Sequence, residues 1–177
     1  MKRIFLVGYM GAGKTTLGRL IAQLMEMEFI DLDHYIERRY MKSVNEIFKE
    51  KGEEFFRQFE RNMLHEVGTF ENVVVSTGGG APCFFDNARF MNEHGISVYL
   101  KTNVETLFSR LKTGRHTRPI LKDKNDEELL DFISGSIQKR EPYYQQATLI
   151  FDASHLDSVE QINEAANTLQ NLLLQYK

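Results

Sequence analysis

The sequence predicts an α/β fold in three layers, with a five-stranded parallel sheet between two layers of helices. Three observations carry this. Short apolar runs at residues 4–7, 28–30, 73–76, 96–100 and 148–151 alternate with segments of helical period. The first run passes through a glycine-rich turn, residues 8–14, straight into a helix. Val73-Val-Val75 is a β-branched run of the kind buried on both faces of a parallel sheet.

The opening unit is the most informative. Gly8-x-x-x-x-Gly13-Lys14-Thr15 has the spacing of a phosphate-binding P-loop, in the strand-loop-helix setting the motif requires. Glycines permit the positive φ angles that turn successive N–H groups inward, and the helix N-terminus favours an anion there. Gly11, Ala12, Gly13, Lys14, Thr15 and Thr16 are therefore the candidate nucleotide-phosphate binders. Lys14 would reach the β- and γ-phosphates, and the Thr15 hydroxyl would hold Mg²⁺. Leu17, Leu20, Ile21, Leu24 and Met25 recur as the helix's apolar side.

The second strand ends in Asp31-Leu-Asp33, and a helix follows from His34 to Arg39. Ser43-x-x-Glu46 has the form of a capping box and opens a short helix that Gly52 breaks. A longer one follows to about Val67, with Phe55, Phe56, Phe59, Met63 and Val67 as its core-facing stripe. The Val73 strand ends in Gly78-Gly-Gly80. A helix over residues 86–94, a strand, and a helix capped by Thr102-x-x-Glu105 come next. Residues 112–125 are polar, contain Gly114 and Pro119, show no period, and read as a mobile loop. Helix resumes over 126–147, weakened by Gly135 and Pro142, and Ser158-x-x-Gln161 caps the last helix.

Composition narrows the class. At 177 residues with 42% hydrophobic and 27% charged content, the chain suits one globular domain. A net charge of −3 gives no general draw toward nucleic acid or anionic membrane. No segment approaches a membrane span, and the N-terminus is too short for a signal-peptide core. The lone Cys83 forms no internal disulfide and reads as a small buried hydrophobe. A soluble, reducing, cytoplasmic setting is the expectation.

Ligands of such sheets bind beyond the carboxyl ends of the strands, which gathers the P-loop, Asp31/Asp33 and residues 78–80 onto one rim. No carboxylate follows the Val73 strand, so the acidic work falls to Asp31 or Asp33, although either could simply cap the next helix. The glycine triplet allows a ligand close to backbone, or is a plain turn. Arg57 has Glu53 at i−4 and Glu60 at i+3, enough to account for it as a helix-surface ion pair. Arg115, His116 and Arg118, with Arg110 just before it, make the loop at 112–125 basic, as a flap over phosphates would be, or as a solvated loop can be. Arg140 alone is unremarkable.

Together these motifs resemble the shikimate kinases, a nucleoside-monophosphate-kinase-like branch of the P-loop proteins. The matching pieces are Gly8-Tyr-Met-Gly-Ala-Gly-Lys-Thr-Thr-Leu-Gly-Arg19, Asp31-x-Asp33, Phe55-Phe-Arg57-x-x-Glu60, Gly78-Gly-Gly80-Ala, Arg118-Pro-Ile-Leu121 and Arg140-x-Pro-x-Tyr144, in family order over nearly the whole chain. The resemblance implies ATP-dependent phosphorylation of the shikimate 3-hydroxyl, a step toward chorismate and the aromatic amino acids. It implies strand order 2-3-1-4-5, a single kinase domain over 1–177, substrate-binding helices at about 32–67 and a lid at about 112–125. It gives Asp33 the substrate hydroxyls and the role of candidate base, and has Asp31 hold Mg²⁺ through water with Thr15 as its direct ligand. Arg57, Gly79, Gly80 and Arg140 would bind shikimate, the arginines gripping its carboxylate. Lys14 and Arg118 would act on the phosphates, and Arg110 would lie against adenine, with Ser154 nearby. Phe48 and Phe56 would wall the substrate ring. A monomer is implied. A related gluconate- or nucleotide-type kinase is the alternative, and it gives no reason for two carboxylate-gripping arginines.

Overall fold

The computed structural model describes residues 2–115 and 120–176. His116, Thr117, Arg118 and Pro119 lie outside the described residues, and with them the expected lid arginine.

β1 (Arg3–Val7) is the central strand, paired in parallel with β3 (Val73–Ser76) on one side and β4 (Ile96–Lys101) on the other. β2 (Glu28–Asp31) extends the sheet beyond β3, and β5 (Leu149–Asp152) extends it beyond β4. The order is β2-β3-β1-β4-β5, as the family resemblance implied. Register is fixed from the middle outward, with Ile4 opposite both Val74 and Ile96. Ile4, Phe5, Leu6 and Val73 to Val75 are all fully buried, so the apolar runs reflect burial on both faces of the sheet.

Helices flank this sheet. α1 (Lys14–Leu24) follows the P-loop and packs beside α7 (Val159–Gln175), which starts from the expected Ser158/Gln161 capping box. α2 (Leu32–Tyr40) and α3 (Val44–Val67) pack together beyond β2. The Ser43/Glu46 box is present, and Gly52 interrupts α3 at φ 80°, ψ 173°, a conformation open essentially to glycine alone. A 3₁₀ turn (Ala81–Cys83) and α4 (Asn87–His94) lead into β4. α5 (Val104–Gly114) packs on α6 (Asp126–Tyr144).

Five expectations need correction. The residue capping α5 is Asn103, whose side chain accepts from Thr106 N–H at 2.7 Å, because β4 runs on through Lys101 and leaves Thr102 too early to cap. α5 continues through Gly114, so the polar run from Lys112 begins inside a helix. Phe55 is 38% exposed, stacked on Phe59 rather than seated in the core, since the buried face of α3 is turned to include Glu60 and Leu64. Leu24 is 40% exposed at the end of α1. Pro142 falls in the last turn of α6, where the helix reaches Tyr144.

Candidate active site

The P-loop is shaped by glycines at the positions that demand them. Gly11 and Gly13 take φ of 81° and 93°, and a Cβ on Gly13 would stand 2.7 Å from Leu156. The Lys14 ammonium is held by the carbonyls of Gly8 and Tyr9 at 2.8 and 2.9 Å, which sets its charge at the mouth of the loop. Gly11, Gly13, Lys14, Thr15, Thr16 and Arg110 line one cavity of about 290 Å³, closed by Leu156 and Ile162. Six expected phosphate or nucleotide residues thus share a pocket. Leu156 and Ile162 carried no signal in the sequence.

Arg110 ties the two walls of that pocket together. Its guanidinium donates to the Gly11, Ala153 and Ser154 carbonyls at 3.1 to 3.3 Å and pairs with Asp157 at 3.3 Å. Ser154, by contrast, is buried with its hydroxyl accepting from the Asn103 N–H, so its side chain serves the loop.

The carboxylates divide the work at the end of β2. Asp31 caps α2, with Oδ1 accepting from His34 N–H, and its Oδ2 accepts from the Thr15 hydroxyl at 3.0 Å. Asp31 is thus a helix cap, as one alternative had it, and its other oxygen is tied to the P-loop through Thr15. Asp33 lies in the first turn of α2, and burial, reinforced by Asp31, raises its carboxyl above the ordinary range against the pull of Lys14.

Asp33 faces the glycine triplet. A Cβ on Gly78 would stand 3.0 Å from Asp33 Oδ1 and 2.8 Å from Glu60 Oε1, and one on Gly80 would stand 2.8 Å from Arg57 Nη2. Side chains crowd this turn from three elements, so the triplet is a packed junction. Arg57 donates to Glu60 Oε2 at 2.8 Å and to Glu53 at 3.2 Å, as its spacing predicted. Its guanidinium also lies over Phe84 at 4.3 Å, Phe56 at 5.2 Å and Phe48 at 5.7 Å. Phe48 and Phe56 thus sit beside Arg57; Phe84 had no sequence signal. Arg140 arrives from α6 over the Tyr9 ring at 5.5 Å, with Nη1 3.6 Å from the position a Gly79 Cβ would take.

Glu60 is the residue sequence reasoning undervalued. It is 1% exposed, and burial pushes its carboxyl up to about 7 despite the opposing Arg57 charge. Its Oε1 has no hydrogen-bond partner among the described residues. Cys83 is half-buried nearby, and burial raises its thiol, so a reactive thiolate is disfavoured.

A larger cavity of about 530 Å³ opens on the outer side of β2 and α2, between Arg19, Phe29, Tyr35 and Arg38. Of the residues above it shares only Asp31 and His34.

The arrangement joins a P-loop to a site with two guanidinium groups and a buried carboxylate, the donor set for an acidic, hydroxylated acceptor. The sequence profile of the shikimate kinase family matches residues 10–170. A shikimate kinase of Parabacteroides distasonis is 56% identical over 173 residues, which span 98% of this chain and 100% of that one. The chain belongs to the shikimate kinase family. Its fold agrees in detail with the family's solved structures. The shikimate kinase of Bacteroides thetaiotaomicron superposes with a TM-score of 0.95 at 55% identity, over 98% of both chains. That of Acinetobacter baumannii, in complex with shikimate, gives 0.83 at 36% identity, over 99% of this chain and 95% of its own. Among the described residues no helix is long and apolar enough to cross a membrane.

Proposed function

We propose that this member of the family transfers the γ-phosphoryl group of ATP to the 3-hydroxyl of shikimate, giving shikimate 3-phosphate and ADP, with roles divided as follows. N–H groups of residues 11–16 and the Lys14 ammonium hold the phosphates. Arg57 and Arg140 grip the acceptor carboxylate as fork-shaped donors, with the Gly79 and Gly80 backbone between them. Phe48 and Phe56 wall the ring. Asp33 accepts a hydrogen bond from the 3-hydroxyl, and its raised pKa makes it the better proton acceptor as the hydroxyl oxygen attacks phosphorus. The bond to the β–γ bridging oxygen breaks, and ADP leaves. Arg118 is assigned to the developing charge on the phosphates, and Arg110 to the adenine side.

The hydroxyl of Thr15 and the carboxylate of Asp31, 3.0 Å apart, fit Mg²⁺, which takes few protein oxygens beside those of phosphate and water. Bound there, the ion would neutralise charge between the β- and γ-phosphates. Residues 32–67 serve as the acceptor-binding part and 112–125 as the lid of a single domain. The protein acts as a cytoplasmic monomer on small molecules, a reading supported by its net charge of −3, which draws neither nucleic acid nor anionic membrane.

The observation that carries the reading is the convergence of Asp33, Arg57 and Arg140 on residues 78–80 beside the P-loop. The test is Mg²⁺-dependent ADP release over a panel of hydroxylated acceptors. Shikimate alone should support turnover, and Asp33→Asn should abolish it in a protein that still folds and binds ATP. Turnover with gluconate or a nucleotide but not shikimate would overturn the assignment.

A further inference from the structure

One side chain in the acceptor half has no part in the scheme above. Tyr144, the last residue of α6, is fully buried, and its hydroxyl donates to the Gly79 carbonyl oxygen at 2.5 Å. Burial pushes this phenol far above its ordinary value, with the Arg140 charge beside it pulling the other way, so it stays a neutral O–H donor. The ring has little room to turn away. It packs on Tyr99 with centroids 5.1 Å apart, and the Tyr99 hydroxyl donates to Glu141 at 2.6 Å. Glu141 in turn pairs with Lys101 on β4 at 3.2 Å.

The Gly79 carbonyl belongs to the peptide whose other end is the Gly80 N–H. A trans peptide is planar, so its C=O and N–H point in opposite directions. Holding the carbonyl toward Tyr144 therefore aims the N–H away from it. Gly80 is buried, and among the described residues nothing accepts from its N–H. Buried backbone donors are almost always paired, so this one is set for an acceptor that the chain itself does not supply. Arg57 stands beside Gly80 and Arg140 beside Gly79, which places this peptide between the two guanidinium groups.

We propose that Tyr144 is a positioning residue: its hydrogen bond to the Gly79 carbonyl locks the Gly79–Gly80 peptide, already assigned to the acceptor carboxylate, in the orientation that turns the Gly80 N–H toward that carboxylate. This rests on the assignment of Arg57 and Arg140 to that carboxylate. It adds a source of selectivity, because a rigid N–H donor between two cations discriminates an acid from a neutral isostere of the same shape.

Tyr144→Phe keeps the ring and deletes the hydroxyl. The KM for shikimate should rise about tenfold, the worth of one well-made hydrogen bond to a charged group. The KM for ATP and kcat should stay within about twofold, on the same scale of a group remote from the donor. With the hydroxymethyl analogue of shikimate, in which the carboxylate is reduced to an alcohol, the variant and the parent should compete equally. Equal losses on both acceptors, a matching loss for ATP, or no loss at all would overturn the role. Arg57→Lys, assayed in parallel, reports on the carboxylate assignment itself. If it leaves the shikimate KM unchanged, both readings fall; if it raises that KM while Tyr144→Phe does not, only the Tyr144 role falls. Should Tyr144→Phe not fold, the amide proton of Gly80 in the parent protein decides. It should move downfield with shikimate and not with the hydroxymethyl analogue, and an unmoved Gly80 amide would overturn the proposal.

Discussion

Glu60 lies one helical turn beyond Arg57 on α3 and accepts from its Nη1 at 2.8 Å, with 1% of the Glu60 side chain and 13% of the Arg57 side chain exposed. A surface i,i+3 pair is worth little, but a pair this far from water is costly to break from one side. Here Arg57 is answered by Glu53 and Glu60 together, and only Glu53 reaches solvent.

Stability should carry the mark of Glu60. Its carboxyl is raised from 4.5 to about 7, so between those pH values the native protein holds a proton that the unfolded chain has released. Raising pH through that window therefore costs stability. Glu60→Gln removes the effect. Urea unfolding at pH 5 and pH 8 should show the balance between variant and parent shifting toward the variant at the higher pH, by up to about 3 kcal/mol. A difference that is the same at both pH values would refute the burial-driven shift.

Asp31→Asn separates capping from metal binding. Asparagine caps a helix as well as aspartate does, so unfolding free energy should change by less than about 0.5 kcal/mol. The charge beside the Thr15 hydroxyl is lost, and the Mg²⁺ concentration for half-maximal turnover should rise at least about tenfold, with the shikimate KM little altered. A Mg²⁺ titration of ADP release measures both, and an unchanged Mg²⁺ requirement counts against Asp31 as a ligand.

Gly80→Ala tests how closely the triplet fits Arg57. Gly80 has φ −95°, which alanine adopts freely, so backbone strain does not contribute. The new methyl would sit 2.8 Å from Nη2 and 3.0 Å from Cζ of Arg57, and the guanidinium must move. The shikimate KM should rise on the order of tenfold or more, as for a misplaced charged donor, while ATP binding holds. Steady-state kinetics with each substrate varied in turn would show a parallel ATP effect if the fit were not local.

Gly135→Ala should do the opposite of damage. The residue lies inside α6, and nothing stands within 4 Å of the position its Cβ would take. Alanine in a helix interior is favoured over glycine by roughly 0.5–1 kcal/mol, which for a chain of this size is a Tm gain of about 1–4 °C. Calorimetry on both proteins checks the gain, and activity should be unchanged.

What could be read from the chain followed contiguity. The P-loop is a local motif on consecutive residues, and five of them, Gly11 and Gly13 to Thr16, fall in one pocket. Arg57's partners were legible because helical spacing places i−4 and i+3 beside it. The convergence of α3, the glycine triplet and α6 was not legible from pattern, since it depends on strand order, which came from family resemblance alone. Glu60 shows the same limit. At the flank of an apolar arc it reads as half-solvated, and only the turn at Gly78, which brings backbone over it, makes it buried. Phe55 failed in the reverse sense, because periodicity names a face without saying how far along a helix that face stays covered.

The strand order has a consequence for how such a protein can change. The end of β2 and the first turn of α2 carry Asp31 and Asp33 and the turn after β3 carries residues 78–80, whereas α5 and the loop after β5 carry Arg110, Leu156 and Asp157. β1, between them, carries only the phosphate loop. Selection on one flank of the sheet can therefore retune what receives the phosphoryl group without disturbing what delivers it, and Arg140 and Tyr144 on α6 are the residues that cross the boundary. An altered acceptor preference would then show up first as changes confined to one side of β1 plus those two residues of α6.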